Sequence, residues 1–324
     1  MKKVILDVDT GSDDAVAIMT ALCCPNLQVE AICTTWGNLD VEDTTQNTLR
    51  LIDRLGFPNV PVYRGCSTAM VHYLYPQHAL RSQLEKPPMK DGKALQIHYK
   101  ELEGLEPTSL KAQEMDAVSF YVNYLTNAKE PVTLIPVGPL TNLGEALSIA
   151  PWIVKNIERI VIMGGGDRLA NITLCAEANI GHDPEAAEII LQSGADVLFL
   201  PLDATHSVAL TLDDAATLRA LGTFAGAFAA RMVEQRLETE QAIIGDHKTS
   251  TAIHDALAVC AVIDPSVLTD VQRVRCHVSL LGQTAGETII DRRCMPDQAN
   301  CSFSFKGDKQ KFMSLLCGFL GKEA

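Results

Sequence analysis

Four carboxylates fall within eight residues near the start of the chain: Asp7, Asp9, Asp13 and Asp14. Before them, Val4, Ile5, Leu6 and Val8 read as a short buried strand. After them, Ala15, Val16, Ile18, Met19, Leu22 and Cys23 recur at helical spacing, with Thr10-Gly11-Ser12 as the turn between. The acids therefore sit at the carboxyl end of a strand that passes into a helix, the place where open α/β sheets bind ligands. A helix N-terminus favours an acid by roughly 0.3–1 kcal/mol, which is reason enough for Asp13 and Asp14. It does not explain Asp7 and Asp9, which precede the turn on an apolar strand. A hard cation with oxygen ligands, Ca²⁺ or Mg²⁺, accounts for all four.

Four later clusters occupy equivalent positions, just after an apolar run or at the mouth of a helix. Asn38 follows one strand. Val137 and Gly138 end another, where a main-chain carbonyl can face the same site. Asn171, Glu177 and Asn179 follow the run Gly164-Gly165-Gly166, and His254 with Asp255 opens a strongly apolar helix. Taken singly, each has a plain structural role as a cap or loop polar group. The triple glycine lacks the GxxxxGK[ST] pattern of a phosphate loop.

The elements that must position these residues alternate strand and helix, the βαβ pattern of a mostly parallel sheet. Strands are expected at Val29–Thr35, Val60–Tyr63, Val132–Val137, Arg159–Met163 and Asp196–Leu202. Helices are expected through Thr45–Ile52, Ala112–Thr126, Leu143–Leu147, Leu212–Leu221, Phe224–Glu240 and Ala256–Val262. Asp183 caps a further helix with Pro184 in its first position. Near the end, Arg275–Leu281 and Glu287–Arg292 alternate like paired strands at a sheet edge, and a helix closes the chain near Gln310–Leu320. Residues 67–108 break the rhythm, with Pro76, Pro87, Pro88 and Pro107 among mixed charges. They read as a loop or helical insert near the active site, with a helical piece around Ala94–Leu102. No repeat, low-complexity segment or linker divides the chain, so a single domain over residues 1–324 is expected.

Composition narrows the function. The net charge is −13 and hydrophobic residues make up 47% of 324, which suits a large core and disfavours nucleic acid or an anionic membrane as partner. Ten dispersed cysteines without a CxxC pair argue against a zinc knuckle and fit a reducing cytoplasm. No apolar run reaches the roughly eighteen residues of a membrane span.

Taken together, the clusters resemble the inosine–uridine-type nucleoside hydrolases. The resemblance rests on DVDTGSDDAVAI at 7–18, TTWGN at 34–38, PVGPLTN at 136–142, MGGG and AEANIGHDPEAA within 163–187, and HDALAV at 254–259. GQTAGETIIDRR at 282–293 is similar to the family's C-terminal strand pair. The motifs run in family order over nearly the whole chain. The resemblance implies a Rossmann-like, mostly parallel open α/β sheet flanked by helices. It also implies hydrolysis of purine or pyrimidine ribonucleosides to ribose and free base, and a homotetramer or homodimer.

Carried over residue by residue, the resemblance implies Ca²⁺ held by Asp9, Asp14, Asp255 and the Val137 carbonyl, with the ribose 2′- and 3′-hydroxyls and one water completing the shell. Asp9 would be the general base for that water, and Asp7 would support the loop. Asp13 and Asn38 would bind the 2′-hydroxyl side, Asn179 the 2′/3′ edge, and Asn171 and Glu177 the 5′-hydroxyl, with Met163 near the sugar ring. His254 would protonate the departing base, being placed beside Asp255 where it can carry a proton near neutral pH; with Asp9 and Asn38 it completes the catalytic set. A histidine here resembles the inosine–uridine- and pyrimidine-preferring branches. Two departures fall on the base side: Ala178 replaces an aromatic residue, and IHYKELEG at 97–104 lacks the family's HG-x-x-G. They leave base preference open, and with it the roles of His72, His78 and His98. Two other functions use the same residues. ILDVDTG also looks like the start of haloacid-dehalogenase-type Mg²⁺ phosphatases, with Asp7 as nucleophile and Asp9 as acid/base. A Ca²⁺-dependent nucleoside-binding protein without turnover is the third.

Overall fold

Residues 1–75 and 86–322 are described in a computed structural model. Nine strands make one sheet: β1 (Lys2–Val8), β2 (Leu27–Thr34), β3 (Val62–Arg64), β4 (Val132–Pro136), β5 (Ile157–Met163), β6 (Val197–Leu200), β7 (Leu268–Val278), β8 (Thr288–Asp291) and β9 (Cys301–Gly307). Their spatial order is β8-β7-β9-β6-β5-β4-β1-β2-β3. From β3 through β9 every neighbouring pair is parallel; β7 is antiparallel to both β9 and β8. This is the mostly parallel open sheet expected, with the C-terminal strand pair at its edge.

The chain starts in the middle of the sheet and winds outward in both directions, so strand order reverses at β1. In such sheets the crevice outside the carboxyl ends at the reversal is the ligand site. Asp9 follows β1 directly and Val137 follows β4, its neighbour, so the two sides of the crevice meet there.

Alternation along β1 sends Val4, Leu6 and Val8 into one apolar layer and Ile5 into the other. The first layer is covered by α1 (Ser12–Leu22), α9 (Phe224–Ile244), α10 (His254–Ile263) and α11 (Lys309–Leu320), with α2 (Val41–Arg54), α7 (Leu202–Ser207) and α8 (Leu212–Arg219) alongside. The second is covered by α3 (Ala117–Asn127), α4 (Thr141–Ile149) and α6 (Pro184–Gln192), the last preceded by the short α5 (Ala178–His182). The central strands are buried on both faces, as parallel strands require.

Several boundaries shift for identifiable reasons. α3 starts at Ala117 because the Asp116 side chain accepts a hydrogen bond from the Ser119 N–H and caps it. β6 stops at Leu200 because Pro201 cannot continue a ladder, and α7, unforeseen, begins at once. The helical piece expected at Ala94–Leu102 does not form. Asp91 and Gly92 take positive φ (49° and 78°) and fold Met89–Lys90 back on Lys93–Ala94, a two-residue Asp-Gly hairpin followed by turns. β9 was not foreseen either. Its CSFSFKG sequence alternates, and it takes the place between β6 and β7.

Phe303 of β9 is fully buried and stacks on Phe199 of β6, with ring centroids 5.2 Å apart. Phe303→Ala opens a cavity where the parallel and antiparallel parts of the sheet join. We expect it to cost about 3–5 kcal/mol, read as a lower urea midpoint at unchanged slope.

Candidate active site

The site is built from the acids upward. Asp14 stands in the first turn of α1, and its carboxylate reaches back to accept from the Asp9 N–H (3.0 Å) and the Gly11 N–H (2.9 Å). The Asn38 amide Nδ2 donates to the same carboxylate at 3.2 Å. Asp9 Oδ2 accepts from the Asn38 backbone N–H at 2.6 Å. Its other oxygen, Oδ1, is buried and accepts no hydrogen bond among the described residues. Carboxylate oxygens of Asp13, Asp14 and Asp255 all lie within 4.8 Å of one another. Asp255 arrives in the first turn of α10, which packs against α1.

Like charges this close and this buried are costly. Burial, and then the Asp14 charge, push the Asp9 carboxyl well above the usual range. Burial and the charges of Asp13, Asp14 and Asp9 do the same to Asp255, and burial with Asp13 raises Asp14 to about 7. Asp13 alone goes down: burial opposes its charge, but Arg236, His98 and His254 outweigh that. The donor set is all oxygen, two of those oxygens, Asp9 Oδ1 and Asp13 Oδ1, accept no hydrogen bond among the described residues, and only Asp13 has a cation, Arg236, against it. That combination fits a hard divalent cation.

Asp7 is different. It is buried on the other face of the sheet, where its carboxylate accepts from the Tyr121 hydroxyl (3.0 Å) and from Asn142 Nδ2 (3.0 Å). Asn142 also donates to the Thr34 carbonyl, and its Oδ1 accepts from the Cys66 N–H. Asp7 thus ties β1 to α3 and α4, and through Asn142 to β2. It does not line the cavity, and the phosphatase reading loses its nucleophile.

Above the acids lies a cavity of about 440 Å³. Asp13, Asn38, Val137, Met163, Asn171, Glu177, Asn179, His254 and Asp255 all line it; Asp9 and Asp14 sit beneath its floor. Asn179 Nδ2 donates to the carbonyls of Val137 (2.7 Å) and Met163 (3.0 Å), bridging the ends of β4 and β5. Glu177 caps α5 by accepting from the N–H groups of Asn179 and Ile180, and its Oε2 also accepts from the Gly165 N–H at 2.9 Å. Burial outweighs these donors and raises its carboxyl to about 7. The Asn171 Oδ1 accepts from the Ala178 N–H at 2.8 Å. The glycine loop before them is held from the far edge of the sheet: the Thr288 hydroxyl of β8 accepts from the Gly166 N–H and donates to the Gly166 carbonyl.

His254 is buried, with Nδ1 2.7 Å from the Thr205 hydroxyl. The expectation that it carries a proton near neutral pH is not met. Burial, followed by the Arg236 charge, holds its pKa well below the ordinary value, so the ring is neutral. Sequence reasoning also missed His206, Arg236, Glu240 and Lys248, which form one wall of the cavity together with Ile97 and His98 of the insert. Arg236 and Glu240 are four apart on the buried side of α9, between Val233, Leu237 and Thr239. A charged pair on an apolar helix face was the available signal. His98 comes from the insert and packs 3.9 Å from Asp13; burial depresses it to about 4. His72 packs edge-on against Tyr73 outside the cavity, and His78 lies outside the described residues.

The comparisons decide the family. The model of the inosine-uridine preferring nucleoside hydrolases matches residues 4–314. The chain belongs to that family. It is 34% identical over 318 residues to the pyrimidine-specific ribonucleoside hydrolase RihA of Shigella boydii, covering 97% of this chain and 96% of the relative. The solved purine-preferring ribonucleoside hydrolase from Gardnerella vaginalis superimposes with a TM-score of 0.84 at 32% identity, over 100% of both chains. A plant nucleoside hydrolase, PpNRh1, gives a TM-score of 0.84 at 27% identity over 99% of each chain. This nucleoside hydrolase is therefore an enzyme that cleaves N-glycosidic bonds, and its Asp-rich cluster is suited to a metal ion.

Two tests follow from the geometry. A Cβ added at Gly138 would lie 2.8 Å from Asp9 Oδ1 and 3.0 Å from the Asp9 backbone nitrogen. Gly138→Ala should therefore lower kcat/KM for ribosides on the order of 100-fold, with a melting temperature close to wild type. The second concerns His182, which is buried against Trp36 (5.1 Å between centroids) with Nδ1 against the Ala178 carbonyl, and which burial depresses to about 4. Its folded pKa lies below the unfolded value, so the unfolded chain takes the proton first as pH falls. Stability is lost between about pH 6.5 and 4, by up to about 1.4 kcal/mol per unit. In His182→Gln that contribution should vanish, seen by comparing urea midpoints at pH 7 and pH 5.

Proposed function

We infer that the protein is a Ca²⁺-dependent ribonucleoside hydrolase acting on purine or pyrimidine ribonucleosides, with Asp9 as general base and His254 as leaving-group acid. The observation that carries the reading is the orphaned Asp9 Oδ1, buried beside Asp14 under a cavity whose floor is Asp13, Asp255 and the Val137 carbonyl. Asp9, Asp14, Asp255 and that carbonyl would hold the ion. When bound, Ca²⁺ would acidify and position a water molecule and grip the ribose diol.

The chain's own groups do the rest. Asn38 fixes Asp9 Oδ2 through its N–H, which leaves Oδ1 to take the proton of the attacking water. Asp13, Asn38 and Asn179 hold the 2′- and 3′-hydroxyls, while Asn171 and Glu177 hold the 5′-hydroxyl, with Met163 under the sugar. Losing the 2′-hydroxyl would leave buried groups unpaired, so deoxyribonucleosides are poor substrates. The surrounding carboxylates favour the positive charge that develops on the ring. His254 rests as a neutral ring, held at Nδ1 by the Thr205 hydroxyl 2.7 Å away, and would serve as the acid after taking up a proton as negative charge grows on the departing base.

A cytoplasmic homo-oligomer completes the reading. Its location is supported by ten free cysteines, five of them buried, and no described helix is long and apolar enough to cross a membrane. The oligomer rests on the family resemblance.

Three measurements test this. A panel of purine and pyrimidine ribosides, with and without chelator, should show base release that chelation abolishes and Ca²⁺ restores; binding without release would instead identify a nucleoside-binding protein. Asp9→Asn should reduce turnover by at least about 1000-fold with the fold intact, and near-normal activity would remove Asp9 from the role of base. His254→Ala should slow inosine far more than a nitrophenyl riboside, whose leaving group needs no proton. Equal losses on the two would reject the acid role.

A further inference from the structure

The cavity is electrically two-sided. Its floor holds Asp13 and Asp255, with Asp9 and Asp14 directly below. An adjoining wall holds two cations, Arg236 and Lys248, around one anion, Glu240. Arg236 is almost buried, its side chain 9% exposed. Its Nε donates to Glu240 Oε1 at 3.3 Å, and its Nη1 to Asp13 Oδ2 at 3.3 Å. Glu240 Oε1 also accepts from the Thr251 hydroxyl at 2.9 Å, and Lys248 Nζ stands 3.6 Å from Oε2. The guanidinium is therefore oriented at one end by a carboxylate with its own anchors and at the other by the sugar-side acid Asp13. Its five N–H donors exceed these two bonds, and the remainder border the cavity.

The position matches the charge the reaction generates. As the water oxygen bonds to C1′, its proton goes to Asp9, and the electron pair of the C1′–N bond goes to the base. Positive charge on the ribose faces the carboxylate floor. The negative charge on the base delocalises onto ring nitrogens and exocyclic oxygens, which present acceptors only. Resting on the ribonucleoside-hydrolase reading above, we propose that Arg236 is a specificity-determining residue that donates to an exocyclic oxygen of the departing base. It selects oxo bases, uracil and hypoxanthine, over their amino counterparts, cytosine and adenine. An amino group in the same place would oppose donor to donor and leave the guanidinium unpaired. Burial, and after it the nearby cations Lys248 and Arg236 for His206 and Arg236 for His254, hold both histidines below the ordinary value, and their rings lie 5.4 Å apart on this side of the cavity. With both neutral, Arg236 is the wall's fixed cation next to the sugar-side acids.

The test measures kcat/KM for uridine, cytidine, inosine, adenosine and nitrophenyl riboside with the Ca²⁺-loaded wild-type enzyme, Arg236→Gln and Arg236→Lys. Wild type should favour each oxo nucleoside over its amino partner by at least ~10-fold. Arg236→Gln should lose on the order of 100-fold on uridine and inosine and much less on the other three, which narrows both ratios. Arg236→Lys should retain part of the preference. If wild type cleaves oxo and amino partners equally, the proposal fails without any variant being needed. If Arg236→Gln lowers all five substrates by the same factor, Arg236 only props Asp13, and the proposal fails while the hydrolase reading stands. If wild type cleaves no riboside, both readings fall together.

Discussion

Mutual repulsion among buried carboxylates is the constraint on which this molecule depends. Asp9, Asp13, Asp14 and Asp255 converge where strand order reverses, and three of the four are driven upward in pKa by burial and by one another. A fold tolerates that only if other groups hold the acids in place. The Asp9 and Gly11 N–H groups serve Asp14, Asn38 serves both Asp9 and Asp14, and Arg236 offsets Asp13. The same crowding that makes the cluster costly in the free protein makes it a strong sink for a divalent ion.

Around this cluster, neutral side-chain amides do the positioning. Asn142 satisfies Asp7 together with groups from β2 and residue 66, and Asn179 bridges the ends of β4 and β5. Amides suit these places because they donate and accept without adding charge. The insert completes the enclosure. The Ile97 carbonyl accepts from the Ser12 hydroxyl at 3.3 Å, the Gln96 carbonyl from the Thr239 hydroxyl at 3.3 Å, and Lys90 pairs with Glu238. One stretch thus spans from α1 to α9 across the cavity mouth.

Much of the floor was legible in the sequence because its residues stand at sites with strong local signals. Asp9 and Asp14 flank a strand-to-helix turn, Asn38 and Val137 follow apolar runs, and Asp255 opens an apolar helix. All of these line the cavity or lie just under it. The wall was not legible. Arg236 and Glu240 lie mid-helix, where a charge ordinarily faces water, and they turn inward to partners that come from far along the chain, Asp13 of α1 and Thr251 before α10. His98 was visible but unplaced: irregular segments carry no period from which direction can be read. The protonation of His254 was misjudged because its neighbour in sequence, Asp255, matters less than burial and the distant Arg236. β9 went unseen because its partners, β6 and β7, are separated from each other along the chain and its CSFSFKG sequence lacks a long apolar run.

The distance along the chain between Asp9 and Asp255 has a consequence for synthesis. At a typical 5–20 residues per second, the ribosome needs on the order of ten to fifty seconds to travel from one to the other. Over that interval the nascent chain carries three of its four clustered acids without the last, and β1 has no partner on one side until β4 emerges. The acids that follow this apolar, half-paired strand keep its end hydrated and so resist premature collapse and aggregation. The feature that makes the finished site demanding to assemble thus protects the unfinished chain during its emergence.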